Sequence, residues 1–153
     1  MGGEINRPDA YAQTPERLPA ITSVASFYTL IPTEIARGYP VRLRGTVLYI
    51  DPAWNVCWLY EEGATLFFEP GASAGSIRAG DQVDVSGRTA LESNNYRLVN
   101  PSLTVLGRGS FPTTSTLETP QMRGQQDPPS WAKISGTIRN IKIEPPNPIR
   151  LDL

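Results

Sequence analysis

Histidine is absent from the 153 residues. That removes the commonest general base and the commonest metal ligand. Cys57 is the only cysteine, so an internal disulfide and a cysteine-built zinc site are both excluded. Beside Val56 and Trp58 it reads as a small buried apolar group. Lysine is nearly missing: of 14 basic residues only Lys133 and Lys142 are lysines. A basic surplus is missing too, with a formal net charge of −1 and a pI of about 5.5. Proteins that hold nucleic acid mainly through phosphates carry such a surplus. No apolar run approaches the roughly 18 residues of a membrane-spanning helix. The start, Met1 to Asn6, lacks the basic and apolar regions of a signal peptide. The end, Pro148 to Leu153, breaks off in a strand-like stretch. Both ends read as those of a fragment of a longer protein.

What is abundant is punctuation: 15 prolines and 13 glycines, which suit many short strands joined by turns rather than long helices. Residues 1–20 are polar, carry Pro8, Pro15 and Pro19, and read as an extended arm. Ile21, Val24, Phe27 and Leu30 recur every three residues and predict a turn or two of helix, capped by Thr22 or Ser23. A second short helix is expected from Pro32 through Arg37, ending at Gly38.

From Tyr39 the period becomes two. Val41, Leu43, Gly45, Val47 and Tyr49 share one face and Arg42 and Arg44 the other, in a long strand with Gly45 at a bend. A turn at Asp51 to Asn55 follows. Val56 to Tyr60 and Ala64 to Glu69 form a hairpin around Glu61-Glu62-Gly63. Pro70 to Gly80 is a small-residue loop with Ile77 as its apolar anchor. Gln82 to Gly87 is a further strand. Tyr96 to Val99 and Leu103 to Leu106 are expected as a last strand pair broken by Asn100-Pro101.

This pattern predicts an all-β chain, a five-stranded OB-like Greek-key barrel over 21–110 with short N-terminal helical turns. A small β-sandwich shares the pattern. Residues 111–130 read as a linker, with a helical turn near Leu117 to Met122. Trp131 to Ile141 repeats the aromatic, alternating-apolar, Gly-Thr pattern of Tyr39 to Val47, a weak repeat at about one domain per copy. Residues 131–153 are therefore expected to begin a truncated second OB-like repeat, with 131–143 as its first strand. A lone strand cannot bury its own face, so this one offers a route to a homodimer.

Four pieces carry a family resemblance. These are Ile21 to Val24 with Ala36 to Val47; Asp51-Pro52 with the aromatic hairpin after it; Gly80 to Gly87; and Leu103 to Gly109. Together they resemble the extracytoplasmic OB-like repeats ahead of the membrane segment in some bacterial sensor histidine kinases. The resemblance covers roughly residues 20–110 and, more weakly, 111–143. It implies a periplasmic ligand or protein sensor, often in tandem copies, within a membrane-anchored parent. The family carries a serine-like cap where this chain has Ile31. No kinase segment is present, so no catalytic residue is carried over.

The residues that could bind are aromatic and arginine side chains. The outer face of the second and third strands is the usual binding surface of such a barrel. If Cys57 and Leu59 face the core, Trp58 and Tyr60 face out as a stacking platform, and Phe67 on the third strand is a further candidate; a slip of one residue reverses this. Trp54 lies in a turn and is expected at the surface. Arg42, Arg44, Arg88 and Arg97 could form an anion-attracting patch, or a solvated face paired with Glu61, Glu62, Glu69 or Asp84. No nucleophile–base pair, phosphate loop or metal-ligand spacing is present, so no catalytic residue, metal or cofactor is expected. The function expected is a non-catalytic sensing or protein-interaction module for a small molecule or protein. A single-stranded nucleic-acid module and a structural spacer are the alternatives, and the acidic pI counts against the first.

Overall fold

The structure, a computed structural model, describes residues 17–116, 131–133, 135–143 and 150–152. The expected arm at 1–16, the linker residues 117–130 with their helical turn, and the proline-rich stretch 144–149 lie outside the described residues. The chain is mostly β, with two short helices ahead of a five-stranded antiparallel sheet.

The helices begin as the sequence predicts. Helix α1, Val24–Thr29, is capped by Ser23, whose hydroxyl accepts the Ser26 N–H at 3.1 Å. Its spacing buries Val24 and Phe27 completely. The Val24 N–H, at the positive end of the helix, donates to the Glu61 carboxylate at 2.5 Å. Helix α2, Pro32–Ile35, starts on proline and buries Ile35. Ile31 has no side chain to cap it. Instead the Glu34 carboxylate accepts the Ile31 N–H at 3.2 Å. The chain leaves through Gly38 at φ +74°, a conformation glycine adopts without strain.

Strand β1, Pro40–Asp51, serves two partners. Its first half pairs with β4, Asp81–Glu92, from Pro40↔Arg88 to Thr46↔Gln82. Its second half pairs with β2, Val56–Glu61, from Thr46↔Tyr60 to Asp51↔Val56. The crossover falls at the expected bend: a Cβ on Gly45 would meet the Tyr60 carbonyl and lie 2.9 Å from Leu59 Cγ. Only glycine lets the strands approach this closely. Strand β2 pairs with β3, Ala64–Phe68, through a two-residue turn at Glu62-Gly63, both at positive φ.

After β3 the small-residue loop winds into a 3-10 turn, Gly71–Ser76, and Ile77 anchors it in the core. The last strand differs from expectation. Tyr96 to Val99 and Leu103 to Leu106 are not a pair but one strand, β5, Asn95–Arg108, and both halves lie along β4. Asn100 at φ +51° and Pro101 face Gly87 at a bulge, which bends β5 without ending it. The β4–β5 hairpin turns at Ser93-Asn94, both at positive φ.

The strand order is β3-β2-β1-β4-β5. The sheet is not closed into a barrel, because no ladder joins β3 to β5. Pro70 just past β3 and Asn100-Pro101 within β5 interrupt the two edges that would have to pair. One apolar cluster fills the inside, from Ile21, Val24 and Phe27 through Val41, Leu43, Cys57, Leu59, Leu66 and Phe68 to Val83, Val85 and Leu98.

The strand expected over 131–143 is instead two short ones. Ala132–Lys133 (β7) pairs in parallel with Ser115–Thr116 (β6), and Asn140–Lys142 (β8) pairs with Arg150–Asp152 (β9). Gly136 falls in the gap, where a glycine weakens an extended segment.

Candidate functional site

Alternation along β2 decides which aromatics are available. Cys57 and Leu59 are fully buried, so Trp58 and Tyr60 take the outer face, each half-buried. Trp58 lies opposite Phe67 on β3, with ring centroids 5.4 Å apart and planes tilted by 55°. Trp58 also lies opposite Tyr49 on β1. The sequence pattern put Tyr49 with the inward residues. The structure exposes 48% of it, because the register shifts between Val47 and Tyr49 and Leu48 becomes the extra residue of a bulge. The signal was present: Val47-Leu48 are two apolar residues in succession where alternation called for one.

Arg97 completes the row from across the open edge. Its guanidinium carbon stands 5.9 Å from the Phe67 ring centroid, a cation–π distance. It also lies 3.6 Å from the Glu69 carboxylate and 3.7 Å from that of Glu92. Arg97 Nε is out of solvent and makes no hydrogen bond, since 3.7 Å to Glu92 is too long for one. The row Tyr49, Trp58, Phe67, Arg97 thus runs over β1, β2 and β3 and is closed by a side chain from β5. Beneath Arg97, Asn55, Glu69, Glu92 and Asn100 line a cleft of about 270 Å³ between the two edges.

Trp54 sits at the rim beside this row, in the β1–β2 turn, 49% exposed as expected. Asp51 builds that turn by accepting the Ala53 and Trp54 N–H groups at 2.9 and 3.2 Å. The Tyr49 hydroxyl donates to the same carboxylate at 3.3 Å. Partial desolvation, and then the Asp51 charge, hold that phenol above its ordinary range.

The arginines do not form one patch. Arg97 belongs to the aromatic row. Arg44 is held by Asp84 through two hydrogen bonds of 2.7 and 3.1 Å. That bidentate contact lowers the Asp84 carboxyl and raises the Arg44 guanidinium. Arg42 and Arg88 lie further along the β1–β4 face, and Arg88 donates to the Gly38 carbonyl at 3.0 Å. Arg42, Arg44 and Asp84 share a depression of about 520 Å³ with the hydroxyls of Ser86, Ser102 and Thr104.

Among the described residues no group of three or more His, Cys, Asp or Glu side chains could hold a metal ion, and no helix is long and apolar enough to cross a membrane. The Cys57 thiol is pushed up to about 12 by burial, which makes it a poor nucleophile. In comparison with known proteins, no protein-family model and no curated protein matches the chain.

Proposed function

We propose that the chain is a non-catalytic recognition module whose binding surface is the outer face of β2 and β3. The observation that carries this reading is the row Tyr49, Trp58, Phe67, Arg97 beside Trp54. Three rings and a guanidinium lie on one side of the sheet, on rigid strands, with the core packed beneath them. Such a face stacks against flat or ring-shaped groups of a small molecule or protein segment. The strand order, with β1 shared between two halves, supports an OB-like reading in which the β3–β5 seam stays open. The sequence resemblance supports placing the module extracytoplasmically, in a histidine-kinase-type signal-transduction receptor of bacteria.

Two experiments test the reading. Sequencing the native gene on both sides of this segment should find a leader upstream, and a membrane segment and kinase downstream; a gene with neither removes the receptor placement. For the surface, Trp58→Ala and Phe67→Ala should abolish signalling by the full-length receptor while the chain stays folded by circular dichroism. Undiminished signalling would leave the structural-spacer reading.

The Trp58–Phe67–Arg97 stack also favours a second reading, single-stranded nucleic acid. Glu69 and Glu92 beside Arg97 oppose it by neutralising the cation that would meet a phosphate. Tryptophan emission decides between the two. Quenching by a mixed oligonucleotide that weakens steeply with salt selects nucleic acid, and a flat trace excludes it.

A further inference from the structure

The row of rings ends at Arg97, and Arg97 also lines the cleft of about 270 Å³ between β3 and β5. That volume falls just under the roughly 300–1,000 Å³ of pockets that enclose a drug-sized ligand. The cleft therefore takes one ring-sized unit, and the remainder of a ligand lies on the row beside it. The polar groups around the cleft are mixed. Arg97 donates, Glu69 and Glu92 accept, and the carboxamides of Asn55 and Asn100 do both. Asn55 is held in place, accepting the Gly71 N–H at 2.8 Å and donating to Glu69 at 3.4 Å.

Arg97 is poorly satisfied by its neighbours. Its Nη1 lies 3.6 Å from Glu69 and its Nε 3.7 Å from Glu92, both beyond hydrogen-bond length. Nε is out of solvent without a hydrogen-bond partner, and an orphaned donor of this kind costs free energy. A hydroxyl oxygen fits beside such a pair, since it can stand about 2.8 Å from both ends of a gap this wide. It then accepts from the guanidinium and donates to the carboxylate. An anionic group placed there meets Glu69 and Glu92, and an ammonium meets Arg97. A neutral group that both donates and accepts suits all three. Peptide amides also do both, but a peptide added to a sheet edge binds through its backbone. Here Pro70 and Pro101 remove N–H donors from the two edges at the cleft. Sugar hydroxyls need side chains alone. The C–H faces of a sugar ring are apolar and weakly positive, and the negative face of an aromatic ring attracts them.

We propose that this site binds a neutral oligosaccharide, with one sugar ring in the seam cleft beside Arg97 and the next stacked on Trp58 and Phe67. The inference rests on the recognition reading above and names its ligand class. Cellotetraose, maltotetraose and N-acetylchitotetraose are the probes, each titrated calorimetrically into the full chain. At least one should bind. Arg97→Gln should weaken that sugar about tenfold or more, the loss of a charge-assisted hydrogen bond, with a nearly unchanged unfolding midpoint. Trp58→Ala should weaken it as well. Arg44→Gln, on the β1–β4 face, should stay within about twofold of the original. Absence of binding by all three sugars overturns the proposal, as does an Arg97→Gln chain that binds as well as the original. A mixed single-stranded oligonucleotide that displaces the sugar and binds more tightly overturns the neutral class. If the sugars fail while Trp58→Ala and Phe67→Ala still abolish signalling by the full-length receptor, the ligand class falls and the recognition face stands. If signalling survives those substitutions too, the recognition face falls with it.

Discussion

Gly45 and Cys57 illustrate how single side chains constrain this sheet. A methyl group at position 45 would strike the Tyr60 carbonyl and the Leu59 side chain, neither of which has room to move inside a packed core. Gly45→Ala should cost about 1–3 kcal/mol, read from the urea midpoint at constant slope. Gly75, in the 3-10 turn, has nothing within 4 Å of its added methyl, and Gly75→Ala should stay within about 0.5 kcal/mol. Cys57 predicts a pH dependence. The folded thiol holds its proton up to about 12, whereas the ordinary thiol loses it near 9.0. Between those values the unfolded chain binds fewer protons, so stability falls as pH rises through that window. Tyr28, raised by its own burial, acts in the same direction. Unfolding midpoints measured from pH 8 to 11 should decline, and Cys57→Ala should flatten part of the decline. At pH 8 a thiol reagent should label the native chain far more slowly than the unfolded one.

The short helices depend on residues far away in sequence. Thr89 on β4 is buried, and its hydroxyl accepts the Tyr39 N–H at 2.9 Å and donates to the Ile35 carbonyl at 2.7 Å. One hydroxyl thus ties the exit of α2 to the entry of β1. Thr89→Val keeps the shape, strands the Tyr39 N–H and leaves the Ile35 carbonyl only the Gly38 N–H at 3.3 Å, so it should cost about 1–3 kcal/mol. Thr89→Ser should recover most of that, in the same denaturation series. Tyr96 plays a related part for α1: its hydroxyl donates to the Leu30 carbonyl at 2.7 Å, and its ring meets Phe27 edge-on at 6.5 Å. A six-residue helix has no stability of its own in water, and these contacts with the sheet supply it.

The molecule as a whole is a sheet curled around its core and left open along one seam. Arg97 bridges that seam through an ion pair with Glu69, slightly too long for a hydrogen bond, and a cation–π contact with Phe67. Such contacts at a partly exposed position contribute little to global stability, about 1 kcal/mol or less. They do restrain the edge locally. Arg97→Gln should therefore leave the urea midpoint nearly unchanged while amide exchange accelerates in Ala64–Phe68, the edge strand it holds. Equal exchange in both proteins would mean that β3 is held by β2 alone. Tryptophan emission should respond as well, since the Phe67 ring under Arg97 also packs on Trp58.

Local chemistry by itself left open which of Thr22 and Ser23 caps the first helix and which face of β2 turns inward, but it determined the predominance of β-structure, both short helices, the bend at Gly45 and the anchor at Ile77. Each rests on contacts within a few residues, or on a two-residue period that holds wherever a strand is regular. Long-range pairing decided the rest. The bulge at Leu48 turned Tyr49 outward, because inserting one residue reverses every later side chain. The pairing of both halves of Asn95–Arg108 with one partner merged two expected strands into one. The pairing of Arg44 with Asp84 also depends on register, which alone brings Asp84 to Arg44 and Ser86 to Arg42. Strand pairing joins residues some 40 positions apart, and no local pattern carries that information.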